Sequence, residues 1–358
     1  MNTSSFLRLV LGVGLCLVPL SCEHQRPRKN VDEQQTPVKK AKKGQTLLRG
    51  AGATFPALLY LKWIEEFEKS HATVVVNYES IGSGEGQDRF LAGSVDFAAS
   101  DAALSDQQIA KVARGVQLIP ATAGSIVLAY NLKDLGGPLR LKRDVYVDIF
   151  LGEIERWDDP RIEDSNPGLK LPDGNIHVVA RQDGSGTSFA FSKHLAAVSK
   201  DWRKRKGSGT KIDWAPASLA EGNAGVAELI RRTPGAIGYV EFGTAKRTGL
   251  KMAWLENKAG RFIRPTGSSG LSTLRHAKLP DNLRAFFPDP DGADSYPIVT
   301  FSWLLLYKEY SDPRKAEAVK SFVRWCLTDG QQYNEGLGYV RLPPRVADAD
   351  LKALKKIK

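Results

Sequence analysis

The sequence predicts an α/β protein in two units, with an open and largely parallel sheet covered by helices on both faces. Three observations carry this. Apolar runs of strand length alternate with stretches of helical spacing along most of the chain. Three times a strand-like run enters a Gly/Ser/Thr-rich turn that opens a helix: residues 50–56 (GAGATFP), 81–86 (IGSGEG) and 181–189 (RQDGSGTSF). At 358 residues the chain is longer than single cores usually grow, which favours two domains.

Taken in chain order, Met1 to Arg8 is short with one positive charge, and Leu9 to Leu20 is an apolar run too brief for a spanning helix. This reads as a secretion signal over residues 1–22. Val18-Pro19-Leu20-Ser21-Cys22 resembles a bacterial lipoprotein processing site, in which Cys22 becomes the acylated first residue and anchors the protein to a membrane. The alternative is an ordinary cleavage site with Cys22 an incidental thiol. Residues 23–45 are polar and basic, with Arg26, Arg28, Lys29, Lys39, Lys40, Lys42 and Lys43. They lack the apolar area to offset their ordering entropy and read as a flexible tether, held near an anionic surface or simply solvated.

Lobe I is expected over 46–127 and 297–358, and lobe II over 128–296. Leu47-Leu48-Arg49 is a strand, and Phe55 to Lys69 places Leu59, Trp63 and Phe67 on one helical face, with Thr54 suited to cap it and Pro56 to its first turn. Val74 to Val76 is a buried strand, a helix begins near Glu85, Val95 to Ser100 is a strand ending at Asp101, a helix starts after Ser105, and Val116 to Pro120 is a strand. In lobe II, Asp144 to Leu151 is helical, Ile176 to Ala180 a strand, Thr187 toward Trp202 one helix, and Ala236 to Val240 a strand. Ile298 to Tyr307 returns as a strand, and Ala316 to Leu327 is a helix that packs against lobe I. Two near-parallel crossings, around Gly124 to Tyr130 and Ser295 to Phe301, would hinge the lobes. All three glycine turns and Asp101 fall at the carboxyl ends of strands, where open α/β sheets bind ligands.

Charge and cysteine content narrow the chemistry. With 51 Lys+Arg against 40 Asp+Glu, the formal net charge of +11 points to an anionic partner without choosing a small anion, a membrane surface or nucleic acid. Cys16 lies in the apolar leader, so removal of the leader and acylation of Cys22 leave Cys326 without a partner. No disulfide is then possible within one mature chain. Helix starts carry unpaired N–H groups and a partial positive charge, so three converging turns make a cage for an oxyanion.

Five ordered motifs resemble the high-affinity phosphate-binding proteins of bacterial phosphate ABC transporters: residues 50–56, Ile81-Gly82-Ser83, Ala99-Ser100-Asp101, Arg181 to Thr187, and Gly235 to Tyr239. The resemblance spans nearly the whole mature chain. It implies a two-lobed periplasmic-binding-protein fold of type II with a hinged cleft, and delivery of inorganic phosphate to a permease pair and its ATPase. It also implies phosphate contacts from Thr54, Phe55, Ser83, Asp101, Arg181, Ser185, Gly186 and Thr187, with Asp183 orienting Arg181 or forming the turn. No cofactor or metal is expected, and the protein is expected to act as a monomer.

Each position makes sense by itself. Thr54, Ser83, Ser185 and Thr187 offer hydroxyls, Phe55 and Gly186 offer N–H groups, and Arg181 can bond two oxygens through its planar fork. Thr54 and Ser83 could equally be helix caps. Asp101 is the decisive position. An ionised carboxylate only accepts hydrogen bonds, so it welcomes a phosphate O–H and leaves fully deprotonated sulfate facing an unpaired acceptor. The competing reading makes Asp101 a cap for the helix near Ser105. Glu85 in the second turn would oppose an anion if it faced inward; in a first helical turn it is expected to face out.

Other classes fit less well. The histidines His24, His71, His177, His194 and His276 show no metal-ligand spacing, and Asp183 stands where a nucleophile elbow needs its first glycine. A phosphatase or other secreted phosphate enzyme therefore lacks its machinery. Aromatics that do not alternate with Lys/Arg, together with a secretion signal, argue against nucleic acid. A binder or sensor of another protonated oxyanion stays open, with arsenate the hardest to distinguish.

Overall fold

The computed structural model describes residues 38–214, 216–275 and 279–358. The leader, Cys22 and the tether through residue 37 lie outside the described residues. The strands are β1 (Thr46–Gly52), β2 (Val74–Ser80), β3 (Phe97–Ser100), β4 (Val116–Tyr130), β5 (Arg140–Leu141), β6 (His177–Arg181), β7 (Ser218–Ala220), β8 (Ala236–Glu241), β9 (Lys251–Met252), β10 (Trp254–Glu256), β11 (Phe262–Ile263) and β12 (Val299–Tyr307). The main sheet runs β2-β1-β3-β12-β4-β8-β6-β7, with β9 also on β4, and β11-β10-β5 form a small second sheet.

The sheet divides at β4. Its first part pairs with β12 as far as Ser125 opposite Val299, and its last part pairs with β8 from Ile126 opposite Glu241. On one side β1, β2 and β3 are parallel; on the other β6, β7 and β8 are parallel. The expectation of near-parallel crossings is corrected here, because β4 and β12 are antiparallel to each other. The chain leaves through one and returns through the other, so their directions must oppose. Every residue of both strands is buried, as suits the spine shared by two lobes.

The local predictions hold where periodicity is strong. The helix Ala57–Ser70 buries Leu59, Tyr60, Trp63, Ile64 and Phe67, and side chains of that size contribute about 1.5–3 kcal/mol each on burial. Trp63 also anchors its indole N–H on the Gly330 carbonyl at 2.7 Å. The helix Pro313–Leu327 starts as its sequence suggests, with Asp312 accepting from the Arg314 amide and proline in the first turn. It buries Cys326, a free thiol.

The single helix expected from Thr187 toward Trp202 is instead two, Gly186–Val198 and Lys200–Arg205. Ser199 between them is extended (φ −130°, ψ 126°), and its hydroxyl accepts from the Trp202 amide. A serine offering a cap competes with helix continuation. The break also lets Trp202 turn inward, fully buried, with its indole N–H on the Gly207 carbonyl.

Candidate functional site

The first turn follows β1. Thr54 does not cap the next helix: the N-cap position is Pro56 and no side chain caps it. The Thr54 hydroxyl instead accepts from Asn223 Nδ2 at 3.1 Å. Phe55 is buried, and its carbonyl accepts from the Tyr339 hydroxyl at 2.8 Å. That bond holds the peptide between Phe55 and Pro56 at the start of the helix.

At the second turn the N-cap is Gly82, whose φ of 91° only glycine adopts readily. Ser83 is therefore the first helical residue and no cap; its hydroxyl, wholly buried, accepts from the Asp101 amide at 3.2 Å. Glu85 is exposed and bonds Arg89 one turn on, so it faces solvent as expected.

The third turn is the most heavily braced. The Ser185 hydroxyl accepts from the Ser188 amide, which leaves its hydrogen free to donate. Arg181 is 4% exposed and is gripped by Asp183, with Nε on Oδ1 at 2.7 Å and Nη2 on Oδ2. Burial would raise the Asp183 carboxyl, but the hydrogen bonds and charge of Arg181 and the Gly222 amide hold it below the ordinary range. The remaining Nη1 reaches Thr187 Oγ1 at 3.4 Å. Asp183 thus aims the guanidinium while half neutralising it. Tyr239 supports the turn from beneath, accepting from the Arg181 amide and pairing with Ser188 Oγ at 2.6 Å.

These turns meet across the division of the sheet. The Gly84 amide donates to the Gly184 carbonyl at 2.7 Å. A Cβ placed on Gly186 would stand 2.4 Å from Ser83 Oγ and 2.6 Å from Asp101 Cβ. Only glycine allows the third turn to approach Ser83 and Asp101 so closely.

Asp101 is 1% exposed and its Oδ1 has no hydrogen-bond partner among the described residues. It does not cap the helix Asp106–Ala110; Ser105 and Gln108 do that with a reciprocal capping box. Burial pushes its carboxyl up to about 7, opposed by the Ser302 hydroxyl and the Arg181 charge and reinforced by Glu241. A buried acceptor with an unused lone pair, facing a guanidinium and several hydroxyls, suits an anion that still carries a proton.

Residues 33–329 match the model of the PBP superfamily domain. The phosphate-binding protein PstS of Methanocaldococcus jannaschii is 37% identical over 90% of this chain and 89% of its own length. That of Haemophilus influenzae is 38% identical over 84% and 90%. The chain belongs to the PstS family of phosphate-binding proteins. Two solved structures share its fold. A high affinity periplasmic phosphate-binding protein bound with phosphate has a TM-score of 0.68 at 20% identity, covering 85% of this chain and 92% of that one. A phosphate ABC transporter substrate-binding protein with bound phosphate from Clostridium perfringens has a TM-score of 0.62 at 17% identity, covering 83% and 100%.

In this PstS-family chain, sequence reasoning missed Asn223 beside the turns. Asn223, 2% exposed in the first turn of the helix Gly222–Arg232, donates to both Thr54 Oγ1 (3.1 Å) and Thr187 Oγ1 (3.3 Å). Its own oxygen accepts from the Glu241 amide at 3.0 Å. The signal was present: β7 ends at Ala220 and Gly222 has a φ of 65°, so Ala220 to Asn223 is a fourth strand, glycine turn and helix start. An open concavity of about 890 Å³, lined by Tyr130, Trp254, Arg264 and Arg341 among others, includes none of the three turns. Among the described residues there is no cluster of three metal-ligating side chains, and no helix is long and apolar enough to cross a membrane. His194 is tied to Tyr146 and the Pro288 carbonyl inside the core, and burial pushes its ring down to about 4.

Proposed function

We propose that this chain captures inorganic phosphate, as the mono- or dihydrogen anion, between its two lobes and hands it to the permease subunits and ATPase of an ABC importer. The lobes are taken as 46–127 with 297–358, and 128–296; the change of partner along β4 between Ser125 and Ile126 supports this division. Thr54, Phe55, Ser83, Asp101, Arg181, Ser185, Gly186 and Thr187 are the phosphate contacts, and Asp183 holds Arg181 in place. The observation that carries the reading is the unpartnered Oδ1 of buried Asp101 across from Arg181. Membership of the PstS family gives the reading its cargo.

The protein binds and releases its anion without altering it. In support, the buried hydroxyls of Ser83, Ser185 and Thr187 accept hydrogen bonds from amides, Asn223 or Arg181. It works outside the cytoplasm as a monomer, anchored through an acylated Cys22 and the basic segment to residue 45. Intact mass of the mature N-terminus tests the anchor: a lipid-modified Cys22 is expected, and an unmodified one removes it. The function itself is tested by calorimetric titration of the purified protein from residue 23 onward with phosphate and with sulfate. Phosphate binding with sulfate refused is the expected result, and equal affinity for both would overturn the role of Asp101.

A further inference from the structure

Behind Asp101 lie two more buried hydroxyls, from Ser302 and Tyr60. Ser302 Oγ and Tyr60 Oη, like Asp101 Oδ1, have no hydrogen-bond partner among the described residues. The three belong to one place. β12 runs antiparallel to β3 with Trp303 opposite Ser100, which sets Ser302 opposite the residue that follows Ser100, namely Asp101. Two residues on, the Thr300 hydroxyl reaches the Asp101 carbonyl at 3.5 Å. Tyr60 comes from the helix Ala57–Ser70, held between Trp63 (ring centroids 5.2 Å) and Tyr78 (5.4 Å).

The backbone is shaped at this point. The register of β12 on β4 shifts between Ser302 and Trp303: Ser302 faces Thr122 while Trp303 faces Pro120, so Ala121 is left over. A bulge of this kind re-aims a side chain, and Pro120 supplies no amide to restore the ladder. Orphaned polar atoms packed together in a core are costly unless they bond one another or a guest.

We propose that Tyr60 and Ser302 form a donor relay behind Asp101, the tyrosine hydroxyl turning to Ser302 and the serine hydroxyl to the carboxylate, which keeps Asp101 an acceptor and so strengthens refusal of anions without a proton. The idea rests on the phosphate reading above. Its direction follows from electrostatics: a donor aimed at a carboxylate favours the ionised form. Ser302 opposes the upward push of burial on Asp101 and also acts on Tyr60. The other charged or titratable groups that face Asp101 are Arg181, which favours the ion, and Glu241, which opposes it; Tyr60 and Tyr78 are held neutral by burial. Without the relay Asp101 would keep its proton to higher pH. It could then donate to sulfate instead of repelling it.

The test is calorimetric titration of the natural protein, Ser302→Ala, Ser302→Thr and Tyr60→Phe with phosphate and sulfate between pH 5.5 and 8.5, circular dichroism confirming the fold; these limits bracket roughly the range in which a carboxyl near 7 titrates. Loss of one charge-assisted bond predicts about a tenfold fall in the phosphate-to-sulfate ratio near pH 7 for Ser302→Ala. The pH at which sulfate begins to bind should move upward. Ser302→Thr should restore both readouts, and Tyr60→Phe should move them in the same direction by less. A folded Ser302→Ala with the natural ratio and the natural pH profile overturns the relay. If the natural protein binds neither anion, the phosphate reading fails and the relay falls with it.

Discussion

The two walls of the chamber are built on opposite electrostatic plans. The wall from the third turn carries a full charge that the protein has already answered, since Arg181 lies fork to fork with Asp183 and the pair is further tied to Gly222. The wall from Ser83 and Asp101 carries a carboxylate whose Oδ1 has no hydrogen-bond partner among the described residues. The first plan lowers the cost of burying the cation and aims it, so it serves any oxyanion. The second leaves a lone pair that only a proton-bearing guest can fill, so it serves discrimination. On the proposed reading, attraction and choice fall to different lobes.

The largest way to break this contrast is Arg181→Ala. It should weaken phosphate and sulfate alike by at least ~100-fold, because a desolvated charged partner is lost. It should also destabilise the fold by about 3–5 kcal/mol, because Asp183 stays buried without its cation. Titration and thermal melts together check this; a change in selectivity would assign discrimination to the wrong wall.

Next in size is Asp101→Asn, expected to raise sulfate affinity so that the ratio falls by about 100-fold while phosphate binding changes less. The pH dependence sharpens the point. With the folded carboxyl raised from 3.8 to about 7, the native state holds a proton that the unfolded chain releases, so stability of the unliganded fold is fully present below the unfolded pKa and falls as pH rises toward 7. The Asn variant should lose that slope in part. Glu241, raised from 4.5 to about 7 by burial against the Gly243 amide, the Arg247 charge and Thr244, keeps the remainder. Melting temperatures of both proteins from pH 4 to pH 8, roughly the span of those titrations, decide it.

Gly186→Ala places a methyl group where the two walls touch. Overpacking of this order costs about 1–3 kcal/mol, so phosphate affinity should fall roughly tenfold or more while circular dichroism stays native. The smallest expected effect is that of Asn223→Ala. It removes the bridge between Thr54 and Thr187 and leaves the Glu241 amide unpaired, for a loss of about 1 kcal/mol, or several-fold in affinity. An effect confined to stability, with titration unchanged, would make Asn223 a brace of the lobe alone.

Much of the site was legible because its grammar is local. Glycine turns after strands, a planar guanidinium two residues before an aspartate, and a serine at a helix start all declare their chemistry within a few residues. Asn223 escaped because its glycine turn lacks the hydroxyls of the other three, and Ser302 because nothing near it in sequence shows the register shift beside it. The capping roles open to Thr54 and Ser83 were reasonable locally and are absent in the fold, where the cap positions fall to Pro56 and Gly82.

By itself the sequence determined the alternation of strands and helices and the three glycine-rich turns between them, since these depend on periodicity and on what glycine, proline and hydroxyl side chains do to the nearby backbone. Only the tertiary structure decided that β12 pairs antiparallel with the first part of β4 while β8 pairs with its last part, that Asp101 is left with an unpaired oxygen, and that Asn223 bridges Thr54 and Thr187. Those facts join residues far apart in the chain. The energy of such pairings depends on packing and on solvent exclusion, which no short stretch of sequence contains.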